Sequence, residues 1–251
     1  MALEGWKEAN PEYADVLASY AGRLDPMASG KLLVLLGEEC KRQKEYTKLD
    51  KEYEIEVLLD VGSDTGDALG LVECAEKTTP VDNFSRVAEI LRAEEGSHVH
   101  PYPQYSSKTV QGKPLFMYAL EGIIDSIEVP THEEHIYRIT YQSLTSLSAA
   151  TLSKRVATFL AKVPTSDEPS KRLGADFRIK AVRESWEQLF TKAGERDFAV
   201  LTLRVTCASG TYMRSLAPRI GAALDTRALA LSIHRTKIGA YRALTNSIQT
   251  L

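Results

Sequence analysis

The chain has 251 residues, of which 43% are hydrophobic and 26% are charged, as in an ordinary globular protein with a core of its own. Its net charge of −3 gives no overall sign of a polyanionic partner. No apolar run approaches the roughly 20 residues that span a bilayer, and the first residues lack the regions of a signal peptide, so we expect a soluble cytoplasmic protein.

Hydrophobic patterning predicts strands in runs, with helices between them. Alternation of apolar and polar residues, or a short apolar run, predicts strands over residues 31–37, 52–62, 135–144 and 198–207. Helical spacing predicts helices over residues 81–94, 152–163, 181–190 and 212–224. This irregular order favours an α+β fold over a regular series of βαβ units.

Residues 149–196 read as a helical insertion between two strands. Two helical segments there flank the Pro-, Ser- and Asp-rich loop PTSDEPSKRLG. We find no internal repeat and expect one large domain that carries this insertion.

The three cysteines predict neither a disulfide framework nor a metal site. Cys40, Cys74 and Cys207 are far apart, odd in number and without a CxxC pair. We therefore expect reduced, packed thiols.

Basic residues are concentrated in two stretches. Residues 206–242 contain six lysines and arginines against the single acid Asp225. Residues 96–118 contain Lys108 and Lys113, two histidines, four aromatic rings and no acid. Basic groups that hold phosphates and rings that stack on bases fit RNA, although an exposed loop with solvated lysines explains the second stretch equally simply.

Two strings place polar residues at turns beside predicted elements. In AGRLDPMASG, Asp25 precedes Pro26, which predicts a helix N-cap or a turn. In VTCASGTYMRSL, a strand ends at a Ser-Gly turn and Thr211 is placed to cap a helix. The apolar stripe of that helix is formed by Leu216, Ile220 and Leu224.

Arg214 falls in the first turn of this helix, where the helix dipole disfavours a cation. An anionic partner is therefore expected, either an RNA phosphate or a carboxylate on a neighbouring strand. A surface arginine that extends into solvent is the simpler alternative.

Both strings resemble motifs of the TruB pseudouridine synthases. The pattern GxLDPxAxG is matched at Gly22, Leu24, Asp25, Pro26, Ala28 and Gly30. The pattern SxGTYxRxL is matched at Ser209, Gly210, Thr211, Tyr212, Arg214 and Leu216. Three further segments resemble family motifs in the same order: KEYEIEVLLDVGSDTGDALG, PYPQYSSKTVQGKPLFMYA and LALSIHRTKIGAY. Together these matches cover most of the chain from about Leu17 to Tyr241, except the insertion.

The resemblance implies the pseudouridine synthase fold, a central mixed or antiparallel sheet flanked by helices. It also implies isomerisation of uridine 55 in the TΨC arm of tRNA, with no metal or cofactor, by a monomer that needs no obligate protein partner. The implied catalytic residues are the nucleophile Asp25, its ion-pair partner Arg214 and the active-site tyrosine Tyr53. The implied substrate-binding residues are Tyr20, Tyr105, Lys108, Lys113, Tyr212, Ile233 and Arg235.

This sequence departs from the family pattern at several positions. Tyr20 stands where a histidine is common, Leu120 replaces the arginine of an Ala-Arg pair, and His234 replaces one arginine of LRR. The family's usual opening strand with KPxGxTS is missing, and no C-terminal PUA domain is expected. We therefore expect a single catalytic domain over residues 1–251, with the insertion as a candidate substitute for the missing RNA-binding surface.

Two other functions remain possible on the sequence. A tRNA-binding or folding protein with weak or lost catalysis would fit the departures, but would not need Asp25, Tyr53 and Arg214 together. A carboxylate-based nucleoside hydrolase shares the aspartate and predicts release of free uracil.

Overall fold

The structure is a computed structural model that describes residues 2–75, 84–163 and 178–250. The strands are β1 (Ala18–Ala21), β2 (Ser29–Gly30), β3 (Leu33–Leu36), β4 (Asp50–Leu59), β5 (Val61–Ser63), β6 (Val72–Cys74), β7 (Gly96–Pro101), β8 (Thr109–Val110), β9 (Lys113–Pro114), β10 (Thr131–Ser148), β11 (Asp197–Cys207), β12 (Ala228–Arg242) and β13 (Ser247–Thr250). The helices are α1 (Ala2–Ala9), α2 (Gln43–Thr47), α3 (Phe84–Ala93), α4 (Leu115–Leu120), α5 (Ala149–Leu160), α6 (Ile179–Ala193) and α7 (Met213–Ala223). Short 3₁₀ turns lie at Pro11–Tyr13, Gly37–Arg42 and Ile124–Ser126.

A mixed sheet forms the centre of the described part of the chain, in the order β13-β12-β4-β11-β10-β7. Neighbours along this path are antiparallel, and the two-residue strand β2 adds a parallel pairing to β12. The predicted α+β class with a central mixed sheet is confirmed. Strand β4 lies between β12 and β11, so its side chains face the middle of the molecule.

The two faces of the sheet carry separate cores. Ile55, Val57 and Leu59 of β4 pack on one face, together with apolar residues of α3 and α7. Leu58 points to the opposite face, against α5 and α6. The predicted alternation along β4 is confirmed, and the buried leucine at the polar-face position is explained by helices on that side as well.

The pair α5–α6 lies between β10 and β11 in the chain and packs on the second face. Trp186 of α6 is 2% exposed, and its indole N–H donates to the carbonyl of Ala68 at 3.0 Å. Arg155 of α5 forms an ion pair with Glu56 of β4. The pair is therefore fixed both to the central strand and to the loop after β5. The loop PTSDEPSKRLG lies outside the described residues.

Helix α7 is capped differently from the prediction. Its N-cap residue is Tyr212, with no capping bond from the Tyr212 side chain, so the prediction that Thr211 caps the helix is wrong. The Thr211 hydroxyl instead donates back to the carbonyl of Ala208 at 3.2 Å. The N–H of Tyr212 donates to the carboxylate of Glu134 on β10 at 3.1 Å. A distant strand thus supplies the acceptor that a local side chain was expected to supply.

Asp25 and Pro26 form a turn, one of the two predicted alternatives, in which the N–H of Ala28 donates to the carbonyl of Asp25 at 2.8 Å. All three cysteines are free thiols. Within the part of the chain that the structure describes, no helix is long and apolar enough to cross a membrane.

Gly30 joins the Asp25 loop to the central sheet at a point where no side chain fits. Its φ is +101°, and a Cβ there would lie 2.3 Å from the carbonyl oxygen of Arg235. Gly30→Ala is therefore expected to lower the free energy of unfolding by about 2–4 kcal/mol, through backbone strain and the displaced strand pairing. Urea denaturation measures this loss. Gly96→Ala is the matched control, because Gly96 has a φ of +98° with nothing within 4 Å of its Cβ position; equal losses in the two variants would show that the contact with β12 is unimportant.

Candidate active site

A cavity of about 1160 Å³ opens where the ends of several elements meet beside β4 and β12. The loop after β1, the turn before α7 and the segment around residue 105 contribute its walls. Eight of the predicted site residues line it: Tyr20, Asp25, Tyr53, Tyr105, Tyr212, Arg214, Ile233 and Arg235. Residues about 200 positions apart in the chain are thus gathered in one cleft.

An ion pair between Asp25 and Arg214 lies in this cavity. Arg214 Nε is 3.1 Å from Asp25 Oδ2, and the side chains are 5% and 26% exposed, respectively. Arg214 Nε has no partner within hydrogen-bond geometry. The contact with Asp25 is therefore an ion pair in which the N–H is not aligned on the carboxylate. The anionic partner expected for Arg214 is therefore a carboxylate, although it comes from a loop and not from a neighbouring strand. Asp25 keeps enough exposure to meet a ligand.

The remaining donors of Arg214 are held by backbone carbonyls. Nη1 donates to Thr65 at 3.5 Å and Nη2 donates to Tyr105 at 3.3 Å. A Cβ on Gly66 would lie 2.1 Å from the Arg214 carbonyl, and the φ of Gly66 is +76°, so only glycine allows this approach. The two terminal nitrogens of the guanidinium are thus held by segments that meet at the cavity.

A second carboxylate, that of Asp67, is buried behind Arg214. It is 3% exposed and accepts hydrogen bonds from the Thr65 hydroxyl at 2.7 Å and the Leu69 N–H at 2.9 Å. Burial raises the pKa of Asp67 to about 6, against the opposing effect of the Arg214 charge. Burial alone would lower the pKa of Arg214, but the charges of Asp25 and Asp67 raise it above its ordinary value. The two carboxylates thus stabilise the charged form of the arginine.

The charge on Asp67 should make activity depend on pH. Because its folded pKa is near 6, the carboxylate is ionised at pH 8 and becomes protonated as the pH falls through about 6, which removes a charge that orients Arg214. We expect Asp67→Asn to be about tenfold slower at pH 8, or about 1.4 kcal/mol in barrier, and to lack the decline in rate below pH 6 seen in the unaltered protein. Single-turnover rates between pH 5 and 8 measure both effects. Asp125→Asn, at an exposed carboxylate, serves as the control, and a decline that survives in Asp67→Asn would belong to another group.

Tyr53 and Ile233 form the floor of the cavity on β4 and β12. Ile233 is 3% exposed, and Tyr53 pairs in register with Arg235 across the two strands. Burial raises the pKa of Tyr53 to about 12, so its phenol keeps its proton at neutral pH. The ring can stack on a base while its hydroxyl donates a hydrogen bond.

Arg235 is 1% exposed, and its guanidinium is directed at the Asp25 loop. It donates to the carbonyls of Lys31 at 2.7 Å, Gly22 at 3.0 Å and Arg23 at 3.4 Å. These contacts hold both ends of the loop that carries Asp25. A direct contact of Arg235 with substrate stays a prediction.

Three tyrosines form the upper walls of the cavity: Tyr20, Tyr105 and Tyr212. Burial, with a smaller effect of the Asp25 charge, raises the pKa of Tyr212. His132 packs edge-on against the Tyr212 ring at 5.4 Å between ring centroids. Rings that are held in place in this way are suited to stacking on a base.

The two predicted lysines lie away from the cavity. Lys108 Nζ lies 4.7 Å from the centroid of the Tyr102 ring, and Lys113 pairs with Glu121 and lies 4.6 Å from the Tyr118 ring centroid. Each ammonium is drawn to an aromatic ring of its own segment. Neither lysine lines the cavity, and their predicted contact with the substrate stays a prediction.

The polar cavity residues that were not singled out from the sequence include Lys51, Asp67 and Arg178. Lys51 is 5% exposed, and burial, with the nearby Arg235 charge, lowers its pKa to about 8. Lys51 and Asp67 stand inside motifs that were recognised, so their positions carried a signal. Arg178 lies in the insertion, where no motif pointed to it. Among the described residues, no cluster of three or more His, Cys, Asp or Glu side chains is arranged to hold a metal ion.

Comparison with known protein families identifies the family of this chain. The family model "TruB family pseudouridylate synthase (N terminal domain)" matches residues 15–158. This match covers more than half of the chain, which therefore belongs to the TruB family of pseudouridylate synthases.

Curated relatives extend the similarity over most of the chain. This chain is 31% identical over 226 residues to tRNA pseudouridine synthase B of Azoarcus sp. (strain BH72), and the match covers 90% of this chain and 57% of the relative. It is 28% identical to the protein of the same name from Cupriavidus metallidurans, covering 88% of this chain and 54% of the relative. The chain thus spans little more than half the length of these relatives. Among solved structures, a Cbf5-Nop10-Gar1 complex is similar with a TM-score of 0.49 and 18% identity, over 89% of this chain and 40% of that chain.

Proposed function

We propose that this protein isomerises uridine to pseudouridine at position 55 in the TΨC arm of tRNA, with Asp25 as the nucleophile. The observation that carries the proposal is the ion pair of Asp25 with Arg214 in a cavity walled by tyrosines. Membership of the TruB family and the relatives named tRNA pseudouridine synthase B support the same function.

The reaction rearranges bonds without changing the atoms of the nucleotide. The bond from uracil N1 to C1′ of the ribose breaks, the base rotates, and a bond from C5 to C1′ forms. N1 gains a proton and C5 loses one, so the balance needs no oxidant, reductant or cofactor. One carboxylate that stabilises the electron-poor intermediate is sufficient, whereas a glycosidase uses two.

Each cavity residue has a distinct part in this proposal. Asp25 attacks or stabilises the electron-poor carbon, and the ion pair with Arg214 orients that carboxylate. Tyr53 stacks on the base and, because its pKa is about 12, donates a hydrogen bond as a neutral phenol. Ile233 supplies an apolar contact beside the base.

The uridine must leave its stack to reach Asp25, because the carboxylate lies inside the cavity with only 26% of its side chain exposed. Flipping a base costs a few kcal/mol and costs least in a loop. A folded RNA arm with an accessible loop uridine is therefore the favoured substrate class. We propose that the protein meets this substrate in the cytoplasm. We propose that it acts there without an obligate protein partner.

Tritium release from tRNA labelled at C5 of uridine tests the proposal, because forming the C5–C1′ bond expels the C5 hydrogen. One equivalent of tritium per tRNA is expected, and none from a transcript in which uridine 55 is replaced by cytidine. Binding without release would favour the tRNA-binding protein. Free labelled uracil would instead show the nucleoside hydrolase.

A further inference from the structure

Arg178 is the residue of the insertion that lines the active-site cavity, among those that the structure describes. Arg178 is the residue before α6 and lines the same cavity as Asp25 and Arg214. Nothing in the family motifs covers this part of the chain, since the insertion lies outside them. The contact raises the question of what an inserted helix does at the site.

Arg178 makes two contacts with the cavity wall. Its Nη1 lies 2.7 Å from Asp64 Oδ2, and its guanidinium carbon lies 4.6 Å from the centroid of the Tyr105 ring. The Tyr105 hydroxyl donates to the same Asp64 oxygen at 3.1 Å. The three side chains thus contact one another, with the planar guanidinium over the ring.

The local backbone does not favour an arginine at this position. The dihedral angles of Arg178 are φ 58° and ψ 32°, in the left-handed region that non-glycine residues seldom adopt. Its charge also lies at the N-terminus of a helix, where the dipole repels a cation. The contacts with Asp64 and Tyr105 offset both costs, which points to a role for the side chain beyond the local fold.

The residues that Arg178 contacts belong to the two segments that bind the guanidinium of Arg214. Arg214 is held by the carbonyl of Tyr105 and by the carbonyl of Thr65. Arg178 contacts Tyr105 itself and Asp64, the neighbour of Thr65. It therefore holds, from outside, both segments whose backbone aims Arg214 at Asp25.

Helix α6, which follows Arg178, is held in place by two further hydrogen bonds. Trp186, two turns along α6, donates its indole N–H to the carbonyl of Ala68, and the Ser185 hydroxyl accepts the N–H of Val72 at 3.2 Å. Helix α6 is thus fixed to the chain on the far side of the Asp64–Asp67 turn. Helix α6, which begins directly after Arg178, is therefore bonded to the segment that follows the cavity wall.

We propose that the insertion is a working part of the active site and that Arg178 is a positioning residue, which fixes the Tyr105 and Asp64 wall and through it the orientation of Arg214. This inference rests on the proposed function. It predicts an effect on the rate of the bound complex and not on the affinity for tRNA.

Single-turnover rates and dissociation constants for tRNA test the proposal. Arg178→Ala is expected to lower the rate at saturating tRNA about tenfold and to leave the dissociation constant within about twofold. Arg178→Lys should recover part of the rate, since lysine keeps the charge beside Asp64 but lacks the planar face for Tyr105. Lys180→Ala, which removes a charge from an exposed position on the same helix, is the matched control and should behave as the unaltered protein.

A double-mutant cycle with Asp64→Asn separates positioning from other roles. If Arg178 acts through Asp64, the double variant is no slower than Arg178→Ala alone. An unchanged rate in Arg178→Ala overturns the proposal, and so does an unchanged rate with weaker tRNA binding, which would make Arg178 a phosphate contact. No turnover by the unaltered protein would overturn the proposed function and this inference together, whereas an active protein indifferent to Arg178 overturns the inference alone.

Discussion

Asp25→Asn is expected to reduce pseudouridine formation at least about 1,000-fold, more than about 4 kcal/mol in barrier, with tRNA affinity nearly unchanged. The amide has the size of the carboxylate but no charge, so it can neither attack carbon nor balance Arg214. Affinity is retained because the phosphates and the flipped base contact other groups. Single-turnover tritium release and a binding titration on the same preparation measure the two quantities.

Asp15→Asn is the control for this substitution, because Asp15 is exposed and lies before β1. It should leave both rate and affinity unchanged. An Asp25→Asn protein within tenfold of the unaltered rate would remove Asp25 from the role of nucleophile.

Arg214→Gln is expected to lower both activity and stability. The rate should fall about 100- to 1,000-fold, because Asp25 loses the cation that pairs with it and orients it. The free energy of unfolding at pH 8 should fall by about 2–4 kcal/mol, since Asp67 becomes a buried carboxylate without its neighbouring cation. Tritium release and urea denaturation measure these changes.

The pH dependence of this loss identifies its cause. Burial already raises the pKa of Asp67 to about 6, and removing Arg214 raises it further. A carboxylate with a raised folded pKa costs stability as the pH rises through that value, so the deficit of Arg214→Gln should shrink at pH 5. Adding Asp67→Asn should restore stability at pH 8 without restoring activity. Arg204→Gln, on the exposed side of β11, is the control, and a deficit independent of pH would mean that Asp67 is not responsible.

Local patterns in the sequence predicted the elements that bury apolar residues. The alternation in β4 and the stripe of Leu216, Ile220 and Leu224 in α7 are both found in the core. The gathering of Asp25, Tyr53 and Arg214 in one cavity could be expected only from the resemblance, because no periodicity relates residues so far apart in the chain.

The errors have a common physical origin in contacts between distant parts of the chain. Thr211 has the residue type of a cap, but the N-cap residue is Tyr212, and its N–H donates to Glu134, 78 residues away. No motif in the sequence pointed to Arg178, whose contacts in the cavity wall, Asp64 and Tyr105, lie 114 and 73 residues earlier in the chain.

The attachment of the Asp25 loop to β12 determines when the protein loses activity on heating or in denaturant. Arg235 holds this loop through three carbonyls, and Gly30 and Lys31 bond to the backbone of the same strand. The loop therefore cannot melt while the central sheet persists. Loss of activity on warming should coincide with global unfolding instead of preceding it, so residual activity reports directly on the fraction of intact molecules.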